Sequence, residues 1–453
     1  MNMKFREAAD FKSSGLEWHS RMPSDWELTQ LKRVSQVKSS KRVFEEQYKE
    51  IGVPFYRSKE IVELANNRDI SVDLYISEAL FEEYKSKSGA PKNGDLLITS
   101  IGTIGEVWVC DGREFYFKDG NITQLISGER LKPNFIKYCF QSNFFKEQYR
   151  LMSDGSTLMA LSIEKINRLF LLLPSLKEQE QIVSYLDIKT NEIDALISCK
   201  EQFTILLEEK RQAMITEAVT KGLNPNVKMK DSGVQWIGDI PEHWEFNNIK
   251  HIADIHSSNV DKKSVDGEQQ VLLCNYVDVY YNDEITKGLD FMEATAKKEQ
   301  IEKFTLQEDD VIITKDSESP IDIAIPTWVS ENLPGVLCGY HLALIRSNKK
   351  QLNGLFLYYC LESEAIREQF YSKANGVTRF GLLKDAIKNG IITSPPLEEQ
   401  KEIASYLYEM NKHIRNIKAD IKTQIQKLKE YRQSLIYEAV TGKIDVRNFE
   451  EEE

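Results

Sequence analysis

Apolar residues recur at alternating three- and four-residue steps through two stretches of the chain, 177–220 and 398–441, each 44 residues long and free of glycine and proline. On a heptad frame the first stretch places Ile182, Leu186, Lys189, Ile193, Leu196, Lys200, Phe203, Leu207, Lys210 and Met214 on one seam. The second, 221 residues further on, places Ile403, Leu407, Met410, Ile414, Ile417, Ile421, Gln424, Leu428, Tyr431 and Leu435 there. Seven of ten and nine of ten of these are apolar, so each stretch predicts a long helix with a coiled-coil seam. Such a helix runs about 66 Å, longer than the groove of one compact body, and its nearest cover is the other helix. Antiparallel pairing is expected, because it lets a pseudo-two-fold axis relate the two halves of the chain.

The rest of the pattern differs. Short strand-like runs (DLLITS, DVIITK, LALIRS) alternate with helical pieces such as FIKYCFQSNFFKEQYRLM, punctuated by glycine and turn residues. This predicts two mixed α/β bodies, hence an α+β fold: two pseudo-symmetric bodies separated by two long helices in an antiparallel coiled coil. The expected boundaries are 1–175 and 226–396 for the bodies, 176–225 and 397–446 for the helices, and an acidic, disordered tail at 447–453.

The bodies are copies of one framework. SGLEWHSRMPSDWE at Ser14–Glu27 returns as SGVQWIGDIPEHWE at Ser232–Glu245, an offset of 218. In the middle the offset drifts: GDLLIT at Gly94 answers DDVIIT at Asp309, 215 residues on. It then locks at 221, where SLKEQEQIVSYL faces PLEEQKEIASYL and RQAMITEAVT faces RQSLIYEAVT. Recurrence of Trp18, Trp26, Trp236 and Trp244 in the best-matched stretch favours a structural role for them. Gly102–Gly105, GTIG, follows a strand-like run and reads as a hairpin turn rather than a backbone clamp.

Composition narrows the class. With 41% hydrophobic and 29% charged residues in 453, the chain is expected to be soluble and folded. No apolar run approaches the ~20 residues of a membrane span, and the opening MNMKFREAADFK has no secretory core. Six scattered cysteines form no C-x-x-C, so neither a zinc site nor a disulfide framework is expected and a cytoplasmic location is the default. The chain has no G-x-x-x-x-G-K-[ST], no H-E-x-x-H and no G-x-S-x-G, and no catalytic or metal-binding residue is assigned. A net charge of −12 argues against a nucleic-acid partner unless basic groups are local or come from other subunits.

Local basic and polar loops do exist, and they come in pairs. KSSKR (Lys38, Ser39, Lys41, Arg42) corresponds to SSNVDKK (Ser257, Asn259, Lys262, Lys263), and DGST (Ser156, Thr157) to NGVTR (Thr378, Arg379); Lys315 follows the central strand of the second body. Hydroxyl, amide and guanidinium groups at such turns suit phosphate and base-edge hydrogen bonds, and these are the candidate DNA-binding residues. A coiled-coil scaffold that binds only protein is the alternative.

Taken together, the doubled openings, the EQ-x-x-I phrases at Glu178–Ile182 and Glu399–Ile403, and the helix ends EAVTKG and EAVTGK resemble the specificity subunit of type I restriction-modification systems over almost the whole chain. The resemblance implies that the bodies are target recognition domains, each reading half of a split DNA site. It implies a non-catalytic subunit that recruits two methyltransferase subunits and is joined by restriction subunits. S-adenosylmethionine, ATP and magnesium are then used by those partners, and no cofactor by this chain. Consistently, there is no asparagine- or aspartate-proline-proline-aromatic motif; SPPL at Ser394 is the nearest.

Joined to the pattern, the resemblance implies two expectations. The seam from Ile182 to Met214 covers about 50 Å, so the helices act as a ruler between half-sites on the order of 10 base pairs apart. Deleting one heptad from both helices should shorten the preferred gap, read from the spacing of methylated sites; an unchanged gap rejects the ruler. The acidity implies that partner subunits supply most of the phosphate neutralisation. Purified alone, the chain should bind duplex DNA weakly at moderate salt, and tight sequence-specific binding in a titration would contradict this.

Overall fold

Both heptad-patterned stretches form single unbroken helices, Leu176–Lys221 and Leu397–Val440, in a computed structural model that describes residues 4–152, 160–234, 236–447 and 449. Each ends at a glycine in the left-handed region, Gly222 (φ 77°) and Gly442 (φ 70°). A side chain there would also collide: a Cβ on Gly442 would lie 2.4 Å from Pro23 and 3.0 Å from the Trp26 ring, and one on Gly222 3.2 Å from the Trp244 ring. Among the described residues no helix is long and apolar enough to cross a membrane.

The chain divides into two compact units, Met1–Lys200 with Lys422–Glu453, and Glu201–Ile421. This division cuts through both helices rather than falling at their ends. In the first unit Ile182, Leu186, Ile193 and Ile197 pack in one core with Leu435, Ile436, Ala439 and Val440. Arg432 pairs with Asp194 at 2.9 Å and Lys200 with Gln424 at 2.6 Å, so one helix is read forwards as the other is read backwards. In the second unit Lys418 bonds Glu208 at 2.8 Å and Arg211 bonds Asn411 at 3.1 Å, again antiparallel.

The buried seam departs from the heptad frame. Ile182, Leu186, Ile193, Ile403, Leu407, Ile414, Ile421 and Leu435 are buried, and Leu207, Met214, Ile417 and Leu428 are half-buried. Leu196 and Phe203, expected on the seam, are 45% and 49% exposed, while Ile197 and Ile215 are buried. The second helix keeps to its frame, with Ile403, Leu407, Ile414, Ile421 and Leu435 all buried, so the departure belongs to the first helix.

The bodies share one topology. The first has a four-stranded sheet in the order Ser35–Lys38, Ile122–Ser127, Leu96–Thr99, Val107–Val109, antiparallel throughout. The second repeats it as Ala253–Ser257, Leu342–Ser347, Asp310–Thr314, Pro326–Val329, and adds Glu284–Ile285 in parallel at the edge. GTIG connects two of these strands as a hairpin, with Gly105 N–H donating to the Thr99 carbonyl. A second small sheet in each body contains one parallel pair, Val53–Tyr56 with Tyr116–Phe117 and Gln269–Cys274 with Leu333–Cys338.

The repeated EQ phrase explains how each helix start is fixed to its body. Gln179 accepts from the Lys132 N–H and donates to the Arg130 and Pro174 carbonyls. Gln400 accepts from the Asn353 N–H and donates to the Gln351 and Pro395 carbonyls. One buried amide thus satisfies three backbone groups, one in the loop before the long helix and two in a loop of the body, and so ties the two together. The preceding glutamate is used differently: Glu178 accepts from the Trp26 indole at 3.0 Å and pairs with Arg6, whereas Glu399 pairs with His243 at 2.9 Å and the Trp244 indole N–H has no hydrogen-bond partner among the described residues. Trp26 and Trp244 are core residues. Trp18 packs on Phe144 at 4.9 Å, and Trp236 is 43% exposed.

The chain ends also have structure. Lys4–Arg6 lies antiparallel to Lys443–Asp445, through Arg6 N–H to the Lys443 carbonyl, Asp445 N–H to the Lys4 carbonyl and a Phe5–Ile444 bridge. Of the expected disordered tail, Arg447 forks onto Asp445 while remaining exposed, and Phe449 packs edge-on to Tyr185. Asn448 and 450–453 lie outside the described residues.

His19 and Ile237 hold equivalent positions in the two openings, and both are buried. Burial, then Lys443, lowers the His19 imidazole from its ordinary 6.5 to about 4. The unfolded chain therefore takes up a proton that the folded one refuses between these values, and stability falls as pH drops through that window. The substitution His19→Ile should flatten this part of the stability profile, measured by thermal unfolding between pH 4.5 and 7.5; a profile as steep as wild type would contradict it.

Candidate nucleic-acid interface

In both bodies three separated segments meet at the end of the central strand, held by matching backbone hydrogen bonds. In the first, Ser100 N–H donates to the Asn121 carbonyl (2.8 Å) and Leu161 N–H to the Ser100 carbonyl (2.9 Å). In the second, Lys315 N–H donates to the His341 carbonyl (3.0 Å) and Leu382 N–H to the Lys315 carbonyl (2.7 Å). The first basic loop joins the same place through a serine hydroxyl: Ser40 Oγ donates to the Phe117 carbonyl, and Ser258 Oγ to that of Cys338. The frame is duplicated to the level of single hydrogen bonds.

What the frame presents is not duplicated. In the second body Asp316 Oδ2 takes both Lys315 Nζ (3.0 Å) and His341 Nδ1 (3.2 Å), and Arg379 Nη2 lies 3.1 Å from either ring nitrogen of His341. Lys315 Nζ also sits 4.8 Å over the half-exposed Tyr340 ring. Beside them opens a cavity of about 470 Å³ lined by Lys262, Asn275, Tyr276, Asp278, Tyr340 and His341 among others. Tyr276 stacks on Tyr280 at 5.6 Å, and Tyr281 is 76% exposed. Asp278 accepts from the Asn275 N–H, and burial holds its carboxyl above the usual range. The matching positions in the first body are Ser100, Ile101, Gly120 and Asn121; Ser100 Oγ bonds Thr123 Oγ1 at 2.7 Å and Ile101 is 45% exposed.

Of the residues singled out from the sequence, Lys262, Lys315 and Arg379 converge around Tyr340 and His341. Thr378 is exposed on the same loop as Arg379. Asn259 accepts from Gln300, and Lys263 stands exposed, 3.8 Å from Asp261. Ser257 lies in a strand opposite Ala343. In the first body Lys38 Nζ is turned onto the Ser88 carbonyl, Ser39 is half-buried, Lys41 N–H donates to the Tyr116 hydroxyl with its side chain exposed, and Arg42 pairs with Asp119. Ser156 and Thr157 lie outside the described residues. Sequence reasoning missed Tyr340, His341, Asp316 and Asn121. The available signal was the run CGYHLALIRS aligned on strand residues, Leu342 with Ile122, rather than on a constant offset. Among the described residues no group of three or more His, Cys, Asp or Glu side chains is placed to hold a metal ion.

Two mixed α/β units on antiparallel long helices thus carry the same backbone frame with different side chains. Residues 23–202 and 241–427 match the type I restriction modification DNA specificity domain, and the chain belongs to that family of specificity subunits. A putative type I restriction enzyme specificity subunit of Haemophilus influenzae, S.HindORF215P, is 35% identical over 161 residues, spanning 35% of this chain and 39% of that protein. The MjaVIII specificity subunit of Methanocaldococcus jannaschii is 26% identical over 318 residues, 69% of this chain and 71% of that one. The MjaIX specificity subunit of the same organism is 24% identical over 457 residues, 98% of each chain. In fold, the chain is similar to one in the structure describing complex assembly and conformational transition of the type I R-M system, with a TM-score of 0.68, 16% identity, and 93% and 99% of the two chains covered. It is also similar to the HsdS subunit from Thermoanaerobacter tengcongensis, with a TM-score of 0.54, 16% identity and 93% and 98% coverage.

Proposed function

We propose that the chain directs a type I restriction-modification complex to a bipartite, non-palindromic DNA site, each body reading one half. The observation that carries this reading is the duplicated backbone frame with dissimilar side chains: a shared frame suits one way of meeting a duplex, and different side chains suit two different words. The near-identical helix starts and openings suit two copies of one methyltransferase partner, with restriction subunits joining that assembly. Chemistry then resides in the partners, which use S-adenosylmethionine, ATP and magnesium, while this chain is non-catalytic and works in the cytoplasm alongside them.

Mapping methylated adenines in cells with and without the gene tests the proposal. The expected result is one split, asymmetric motif that vanishes with the gene. A palindromic motif, or a methylation pattern indifferent to the gene, would overturn it.

A further inference from the structure

Resting on that reading, we infer that the second body specifies a G·C pair in its half-site through Arg379, with His341 and the Lys315–Asp316 pair as positioning residues.

Arg379 is exposed, and among the described residues its only hydrogen-bond partner is the His341 ring, reached through Nη2. Nε, Nη1 and the second N–H of Nη2 have no other partner among the described residues, so one bidentate edge of the guanidinium, Nη2 with Nε or with Nη1, stays open. The carboxylate nearest in the cluster, Asp316, is already held by Lys315 and His341, so it does not draw the guanidinium back onto the protein. A planar fork with open donors matches the O6 and N7 acceptors that guanine shows in the major groove, the commonest specific contact made there.

The side chain stands on a fixed support. Asn375 and Gly381 exchange backbone hydrogen bonds at 3.0 and 2.9 Å, and Phe380–Gly381 pairs with Asp316–Ser317. The loop is pinched tight enough that a Cβ on Gly376, at φ 148°, would lie 1.9 Å from the Arg379 carbonyl oxygen. Arg379 is therefore presented directly across from the residues that hold His341, and little ordering remains to be done on binding. The first body has Ser100 and Asn121 where the second has Lys315 and His341, so this device belongs to one half-site only.

The test maps methylated adenines in cells in which the full chain, wild type or Arg379→Ala, is expressed with its methyltransferase subunits. Discrimination at one G·C position, in one half-site, should fall on the order of 10-fold or more, with the other half-site read as before. The substitution His341→Ala should relax that same position to a smaller extent. A motif unchanged by Arg379→Ala, uniform weakening or silence at all sites with no position relaxed, as a phosphate contact would give, or a wild-type motif without a G·C pair in one half overturns the inference while leaving the DNA-reading function intact. Wild-type methylation indifferent to the gene would instead sink that function, and this inference with it.

Discussion

The antiparallel pairing of the two long helices is the constraint on which the rest depends. It means that neither unit closes its core with its own repeat alone. The first body covers Ile182 and Leu186 with Leu435, Ala439 and Val440, which come from the far end of the chain. The second covers Ile403 and Leu407 with Ile215, Ala218 and Val219, from the end of the first helix. Because apolar burial is the main favourable term in folding, each unit's stability is shared between both repeats. A fault in either helix is felt in both.

The polar contacts along these helices differ between the units although the positions correspond. In the second, Arg211 is buried against Glu362 at 2.8 Å and also bonds Asn411 and Glu208. In the first, the equivalent Arg432 makes its pair with Asp194, half exposed, and Gln141 stands where Glu362 does. A buried ion pair is costly to break by removing one partner, about 3–5 kcal/mol, whereas a surface pair contributes about 1 kcal/mol or less. At this position the second body is tied to its helices by a buried ion pair and the first by a half-exposed one, whereas at the helix starts the order reverses, Arg6–Glu178 being buried and His243–Glu399 partly exposed. The same division between fixed frame and free side chains holds where the three segments meet at the end of each central strand.

Much of this was legible in the sequence, for reasons that can be named. Long stretches without glycine or proline and with seven or nine apolar residues in ten seam positions leave little alternative to helix. That Leu196 is exposed and Ile197 buried, while the second helix stays on its frame, cannot be read from a heptad count. Nor can the partition into units, which depends on which helix ends meet in space. At the candidate interface, the paired loops carrying Lys262 and Arg379 could be found because they follow repeated landmarks. Tyr340 and His341 are missed by a constant offset, because they sit where the offset between repeats slides from 215 to 221; aligning strand residues, Leu342 with Ile122, is what finds them, and the backbone bonds of Lys315 and Ser100 fix that correspondence.

The pairing of Lys4–Arg6 with Lys443–Asp445 carries a consequence for the order of events during synthesis. The second unit is cut from one uninterrupted stretch, Glu201–Ile421, and its chain is complete once that stretch has left the ribosome. The first unit, although begun earlier, lacks a wall of its core until Leu435, Ala439 and Val440 have emerged. Nascent chains commonly mature from the amino end forward; here the earlier unit must wait, with part of its apolar surface uncovered, for a helix made after the whole of the later one.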